Sequence, residues 1–291
     1  MKNNSLSALK LVECPRDAMQ GWKTVIPTHL KAEYINALLK VGFDTLDFGS
    51  FVSARAIPQM ADTKEVLARL DVTQTNTRLL AIVANTRGAE EAVLHPEITY
   101  LGYPFSVSET FQFRNANSSR ENSLNTLDQV QQLCIHSNKE LVVYISMGFG
   151  NPYGDAYSYD IVLEWVKRIR DLGVRVMSLA DTVGLATPEQ VKELFLLVSQ
   201  AQPKVELGVH LHSKPTEWNK KLDAALQAGC LRFDGALKGI GGCPMANDAL
   251  VGNMDTELMI PYFEESGYEI KIDQEQFKIA SEIAARIFVN H

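Results

Sequence analysis

Apolar residues in this chain gather into short runs of strand length, at 9–14, 45–48, 79–83, 98–101, 141–146, 174–179, 205–211 and 231–236. Between these runs the apolar positions recur with the period of a helix. Val162, Trp165, Val166, Ile169 and Leu172 fall on one face and stop at Gly173, which predicts an amphipathic helix ended by a glycine. Thr187, Pro188 and Gln190 predict a helix start: a hydroxyl at the N-cap, a proline where no N–H is needed, and an amide that completes a capping box. The same periodicity predicts further helices over about 29–41, 60–70, 123–137, 217–228, 256–266 and 274–288. Eight strands alternating with helices predict an α/β protein of parallel β/α units. A TIM (β/α)8 barrel and a doubly wound open sheet both satisfy that pattern. The barrel is expected, because chemically active residues stand at several different strand ends and a closed barrel gathers all of those ends around one site. The last two predicted helices extend the barrel at the C-terminus, where Phe277, Ile283 and Ile287 can either cover the barrel or join two subunits of a homo-oligomer.

With 291 residues and 46% apolar content, the chain is sized for one large core, so residues 1–291 are expected to form a single catalytic barrel domain. A formal net charge of -7 argues against nucleic-acid and anionic-membrane surfaces, which need clustered Lys and Arg. No run approaches the length of a membrane span, and residues 1–10 lack the apolar core of a secretory signal, so a cytoplasmic enzyme is expected. Cys14, Cys134, Cys230 and Cys243 form no C-x2-C pair, which leaves reduced thiols rather than a disulfide frame or structural zinc.

The sharpest chemical signal is His210-Leu211-His212 at the end of the seventh run. Residues two apart on a strand face the same side, so both imidazoles can meet one metal, although a plain polar strand end has the same pattern. Arg16 and Asp17 follow the first run, where Asp17 can offer a hard oxygen and Arg16 can hold an oxyanion, or the two can form an ordinary ion pair. Asp47 is expected to close the second strand, and Asp181 with Thr182 the sixth; each can equally be a polar loop cap. After the eighth run comes Gly239-Ile240-Gly241-Gly242-Cys243-Pro244. It matches neither the P-loop nor the dinucleotide fingerprint, and reads better as a lid loop carrying Cys243 into the site, or as a loop around a structural thiol.

Taken in order, the segments resemble the hydroxymethylglutaryl-CoA lyase family, within the metal-dependent barrel lyases and acyl-CoA condensing enzymes. The resemblance runs through Pro15-Arg16-Asp17-Ala18-Met19-Gln20, Gly49-Ser50-Phe51-Val52-Ser53, Pro58-Gln59-Met60, Glu65-Val66-Leu67, Ser108-Glu109 and Asn151-Pro152-Tyr153. It continues through Ser178-Leu179-Ala180-Asp181-Thr182-Val183-Gly184, the H-x-H, the Gly-Gly-Cys-Pro loop, and Gly252-Asn253 before Thr256-Glu257. It implies Asp17, His210, His212 and Asn253 as ligands of one divalent cation, Mg2+ or Mn2+, with zinc also compatible by ligand type. It further implies Arg16 beside a thioester oxygen, Cys243 in proton transfer, and Asp47, Asp181 and Glu257 in support. The implied reaction cleaves 3-hydroxy-3-methylglutaryl-CoA to acetyl-CoA and acetoacetate, with an acyl-CoA as the small-molecule partner. Related readings are a condensing enzyme of the same barrel group or a lyase for another 3-hydroxy-3-alkylglutaryl-CoA. The Gly-Gly-Cys-Pro loop and the lack of a long C-terminal regulatory domain favour the lyase. The chain departs from the family pattern at Cys14, which leads straight into Pro15, at Asp47 in place of a glutamate, and at Ser213 in place of an acidic residue.

Overall fold

The computed structural model describes residues 8–213, 216–242 and 251–289. Eight parallel strands close into a barrel in chain order: β1 (Lys10–Glu13), β2 (Thr45–Ser50), β3 (Arg78–Ile82), β4 (Ile98–Ser106), β5 (Glu140–Ser146), β6 (Val176–Ala180), β7 (Glu206–His210) and β8 (Arg232–Gly235). Closure lies in the double pairing of β1, which aligns Val12 with Thr45 of β2 and with Asp234 of β8. The open-sheet alternative is thereby excluded. Strands of such a barrel are covered on both faces, which is why they read as continuous apolar runs. Leu80, Ile82, Tyr100, Val142, Tyr144 and Val176 pack inside the barrel, while alternating partners such as Leu79, Ala81, Val143 and Ile145 face the helices.

The helices between strands are α1 (Pro15–Gln20), α2 (Thr28–Leu39), α3 (Thr63–Leu67), α4 (Thr86–Ala92), α5 (Glu109–Ala116), α6 (Arg120–His136), α7 (Tyr159–Asp171), α8 (Pro188–Ala201) and α9 (Trp218–Gln227). Then come α10 (Thr256–Glu265) and α11 (Gln274–Ile287). The apolar face expected of α7 is buried through Val162, Trp165, Val166 and Ile169, and Gly173 turns the chain at φ 94°. The capping box on α8 is complete, with Thr187 Oγ1 accepting from Gln190 N and Gln190 Oε1 from Thr187 N. On α11, Ile283 and Ala284 are buried, the ring of Phe277 meets Phe43, and Phe288, just past the helix, meets Trp22 and Tyr34, so this helix packs on α2 at the outside of the barrel.

Three differences from the sequence reading bear on the site. Asp47 does not close β2: the strand continues to Ser50 through an irregularity between Asp47 and Gly49, which leaves Asp47 inside the barrel. β4 runs on from Leu101 to Ser106 despite Pro104, because beyond Gly102 it is paired with β5 but no longer with β3, and a strand with a free edge tolerates proline. Short polar α1, α4 and α5 have too few apolar repeats to show a period; α4 and α5 start on side-chain caps from Asn85 and Ser108.

Candidate active site

The C-terminal ends of the strands surround a cavity of about 220 Å³, lined on one side by Arg16, Asp17, His210 and His212 and elsewhere by largely apolar residues including Val52, Ile57, Ile82 and Phe111. One ligand atom each from Asp17, His210 and His212 lies within 4.8 Å of the others. β7 delivers His210, and two residues on, His212 pairs through its backbone with Asn253. The two imidazole centroids are 5.0 Å apart.

Hydrogen bonding fixes what each ring can offer. His210 Nδ1 lies 3.1 Å from Asp234 Oδ2, and His212 Nδ1 lies 3.2 Å from the Gly252 carbonyl. A carboxylate and a carbonyl can only accept, so Nδ1 carries the proton in each ring and, in the neutral form of each, the Nε2 lone pair is free for a ligand. Asn253 Nδ2 donates to Asp17 Oδ2 at 2.7 Å and to the Ile240 carbonyl at 2.9 Å, so its amide oxygen is the atom available to a cation. Gly241, at φ 121°, passes so close that a Cβ would stand 2.2 Å from Asn253 Nδ2 and 2.9 Å from Asp17 Oδ2. Two neutral imidazoles, one carboxylate and one amide oxygen fit a divalent cation of hard or borderline character.

Charge in the cluster favours an ionised Asp17 and a neutral His212, while it draws His210 towards its protonated form. Burial pushes the Asp17 carboxyl up, but Arg16, the two histidines and Asn253 outweigh it and hold Asp17 down at about 2. Burial, helped by neighbouring His210, lowers His212 to about 4, so its ring is neutral at physiological pH. Burial also works against the charged form of His210, but the Asp234 carboxylate, with Asp17, reverses this and raises it. Arg16 sits between two carboxylates: Nη1 donates to Asp17 Oδ1 at 3.0 Å, while Nε at 3.1 Å and Nη2 both donate to Asp47 Oδ2. Cys14, His210 and Asp234 form a second group of possible ligands, but burial raises the Cys14 thiol well above its usual range and His210 is shared with the first.

Asp181 stands just behind the cavity wall, where Oδ1 accepts from Ala186 N at 3.1 Å and Oδ2 from Lys221 Nζ at 2.7 Å. Glu257 is not brought to the cluster: its carboxylate pairs with Lys238 at 2.9 Å and with Ser281, outside the cavity lining. Cys243 lies outside the described residues. Three residues that the sequence reading missed touch the set. Asp234 orients His210, Gln20 Nε2 donates to Asp17 Oδ1 at 2.7 Å, and Lys221 holds Asp181. Asp234 carries a visible sign, since it lies on the inward side of β8, two residues from buried Arg232.

Fold and site together define a (β/α)8 barrel enzyme with its chemistry at the C-terminal mouth. Residues 9–283 match the HMGL-like family. The rat protein named 3-hydroxy-3-methylglutaryl-CoA lyase, cytoplasmic, is 35% identical over 91% of this chain and 77% of its own length. The mouse mitochondrial hydroxymethylglutaryl-CoA lyase is 33% identical over 87% of this chain and 77% of its own. Among solved structures, an HMG-CoA lyase from Acinetobacter baumannii, in complex with coenzyme A and 3-methylmalate, superposes with a TM-score of 0.88 at 30% identity, covering 96% of this chain and 91% of that one. The HMG-CoA lyase of Brucella melitensis gives 0.87 at 27% identity, over 97% and 99%. The chain belongs to the hydroxymethylglutaryl-CoA lyase family.

Proposed function

We propose that this protein is a divalent-metal-dependent carbon–carbon lyase that cleaves 3-hydroxy-3-methylglutaryl-CoA to acetyl-CoA and acetoacetate. The observation that carries the reading is the convergence of Asp17, His210 and His212, with both Nε2 atoms free, on the wall of a cavity that also exposes Arg16. Mg2+ or Mn2+ held by these three residues and Asn253 would supply polarisation of the substrate's C3 hydroxyl and free carboxylate. The reaction breaks the C2–C3 bond, turns the C3 alcohol into the ketone of acetoacetate with loss of its proton, and leaves the electron pair on the enolate of acetyl-CoA. Arg16 faces the thioester oxygen on this reading, and its fork on Asp47 keeps the guanidinium aimed rather than searching rotamers. The enolate then takes a proton at C2, a role that the family resemblance gives to Cys243.

The apolar part of the cavity suits the C3 methyl, and the cavity opens at the mouth of the barrel, where the CoA portion has room to leave. On this reading residues 1–291 work as one catalytic barrel unit in the cytoplasm, like the relatives named cytoplasmic. Among the described residues no helix is long and apolar enough to cross a membrane.

Incubating the purified protein with the thioester and Mg2+ tests the reading by product. Acetoacetate and acetyl-CoA released in equal amounts, and lost in Cys243→Ala, are the expected result. Folded, metal-replete protein that releases neither would exclude this substrate, and turnover only when acetyl-CoA and an oxoacid are supplied together would identify a condensing enzyme instead.

A further inference from the structure

We propose that Lys221 is a positioning residue of the cation cluster: its buried ammonium ties the loop leaving β6 to the loop leaving β7 and thereby sets the aim of His212. The inference rests on the metal reading given above.

Trp218, Lys221, Leu222 and Ala225 share the inward face of α9, and Lys221 is only 4% exposed. A methionine there would fill the same space without taking a charge out of water, so packing does not account for a lysine. The three ammonium protons all have acceptors on the barrel side: Asp181 Oδ2 at 2.7 Å, the His212 carbonyl at 2.8 Å and the Gly184 carbonyl at 3.4 Å. Asp181 N in turn donates to the His210 carbonyl at 2.9 Å. The His210 carbonyl is thus fixed by the β6–β7 ladder through the Asp181 backbone, whereas the His212 carbonyl, past the end of β7, takes its side-chain donor from Lys221.

The consequence reaches the ring. The bond from Lys221 to the His212 carbonyl restrains the backbone and the Gly252 carbonyl restrains Nδ1, and between them they hold the ring where one of its nitrogens lies within 4.8 Å of the ligand atoms of Asp17 and His210. The ammonium also keeps Asp181 Oδ2 occupied, which leaves Asp17 as the carboxylate of the cluster. Without Lys221, the His212 carbonyl loses its side-chain donor, while the same peptide keeps the bond from Ser213 N to the Gly252 carbonyl at 3.2 Å, and Asp181 becomes a buried anion without its cation beside the cluster.

Mn2+ binding to metal-free protein, followed by the electron paramagnetic resonance signal of free Mn2+, tests this without relying on turnover. In K221M the affinity is expected to fall by about 10–100-fold, as for removal of groups that orient metal ligands elsewhere. At saturating Mn2+, kcat is expected to recover to within a few-fold of wild type with KM for the thioester unchanged, whereas general loss of fold would lower the active fraction and leave the Mn2+ midpoint in place. The double variant K221M with D181N leaves no unpaired buried charge and decides the matter if K221M alone does not fold: its Mn2+ affinity is expected to stay similarly weak, because the His212 carbonyl still lacks its donor. Either variant, folded and binding Mn2+ as tightly as wild type, overturns the role of Lys221. Wild-type protein that holds no Mn2+ would remove the metal reading itself, and this one with it.

Discussion

Arg16 is held by its Nε and Nη2 on Asp47 and by Nη1 on Asp17, so its aim depends on a planar fork that an ammonium cannot reproduce. Arg16→Lys keeps the charge and loses the fork. Its kcat is expected to drop by about 10²–10³, the range for losing one oxyanion donor, with Mn2+ binding retained; steady-state kinetics beside a Mn2+ titration separate the two effects. Gly241→Ala places a methyl group on the Asn253 amide and the Asp17 carboxylate in a backbone conformation that alanine rarely adopts, so a Mn2+ titration is expected to show weaker binding and urea denaturation a lower midpoint. At this scale the site was legible where spacing alone aims side chains. His210 and His212 share a side because extended chain has a period of two, and Asp17 stands four residues past the end of β1, in the first turn of α1. Asp234 and Lys221 were not legible, because their contacts join positions 24 and 40 residues apart, or more than a strand's length, on different elements. The hints were the inward side of β8 for Asp234 and the apolar stripe of α9 for Lys221.

Among the elements, the joint between β1 and α10 has a pH dependence that can be measured. Glu13 is fully buried; Oε1 accepts from Leu237 N at 2.7 Å and Oε2 lies 2.6 Å from Thr256 Oγ1. Burial pushes its carboxyl up to about 8, despite those hydrogen bonds, against an ordinary value near 4.5. Between these values the folded protein keeps a proton that the unfolded chain has released, so stability falls as pH rises, by up to about 1.4 kcal/mol per pH unit from this group. Glu13→Gln reproduces the protonated geometry. Urea denaturation at pH 5.5 and pH 8 is expected to show a shallower decline in the variant, and an equally steep decline would show that Glu13 is not the group responsible. The elements themselves were legible in proportion to their repeats: α7 and α8 show a full apolar face or a complete cap, whereas α4 and α5, at 7 and 8 residues, are too short to repeat an apolar position often enough to show a period. Strand ends were less so, since β2 and β4 extend past residues that read as breaks, through the Gly49 irregularity and the free edge at Pro104.

At the scale of the molecule, the cation cluster is assembled from α1 after β1, from the end of β7 and from the segment before α10, which lie far apart in sequence and meet only because the barrel closes. A ligand bound only by the folded protein stabilises the whole, by about 2.7 kcal/mol at 100 times its Kd. Saturating Mn2+ is therefore expected to raise the thermal midpoint of wild-type protein by roughly 5 °C or more, with little shift in Asp17→Asn, as read by calorimetry. The barrel was legible from eight alternating runs, and closure followed from where the polar residues ended those runs. The remaining step, from a cluster that can hold a cation to one that drives cleavage, is tested most directly by metal add-back. Metal-stripped protein given 3-hydroxy-3-methylglutaryl-CoA is expected to release no acetoacetate until Mg2+ or Mn2+ is restored, and His212→Ala to stay silent at concentrations that restore wild type. Full turnover by the stripped protein, or by His212→Ala at wild-type metal levels, would contradict the account.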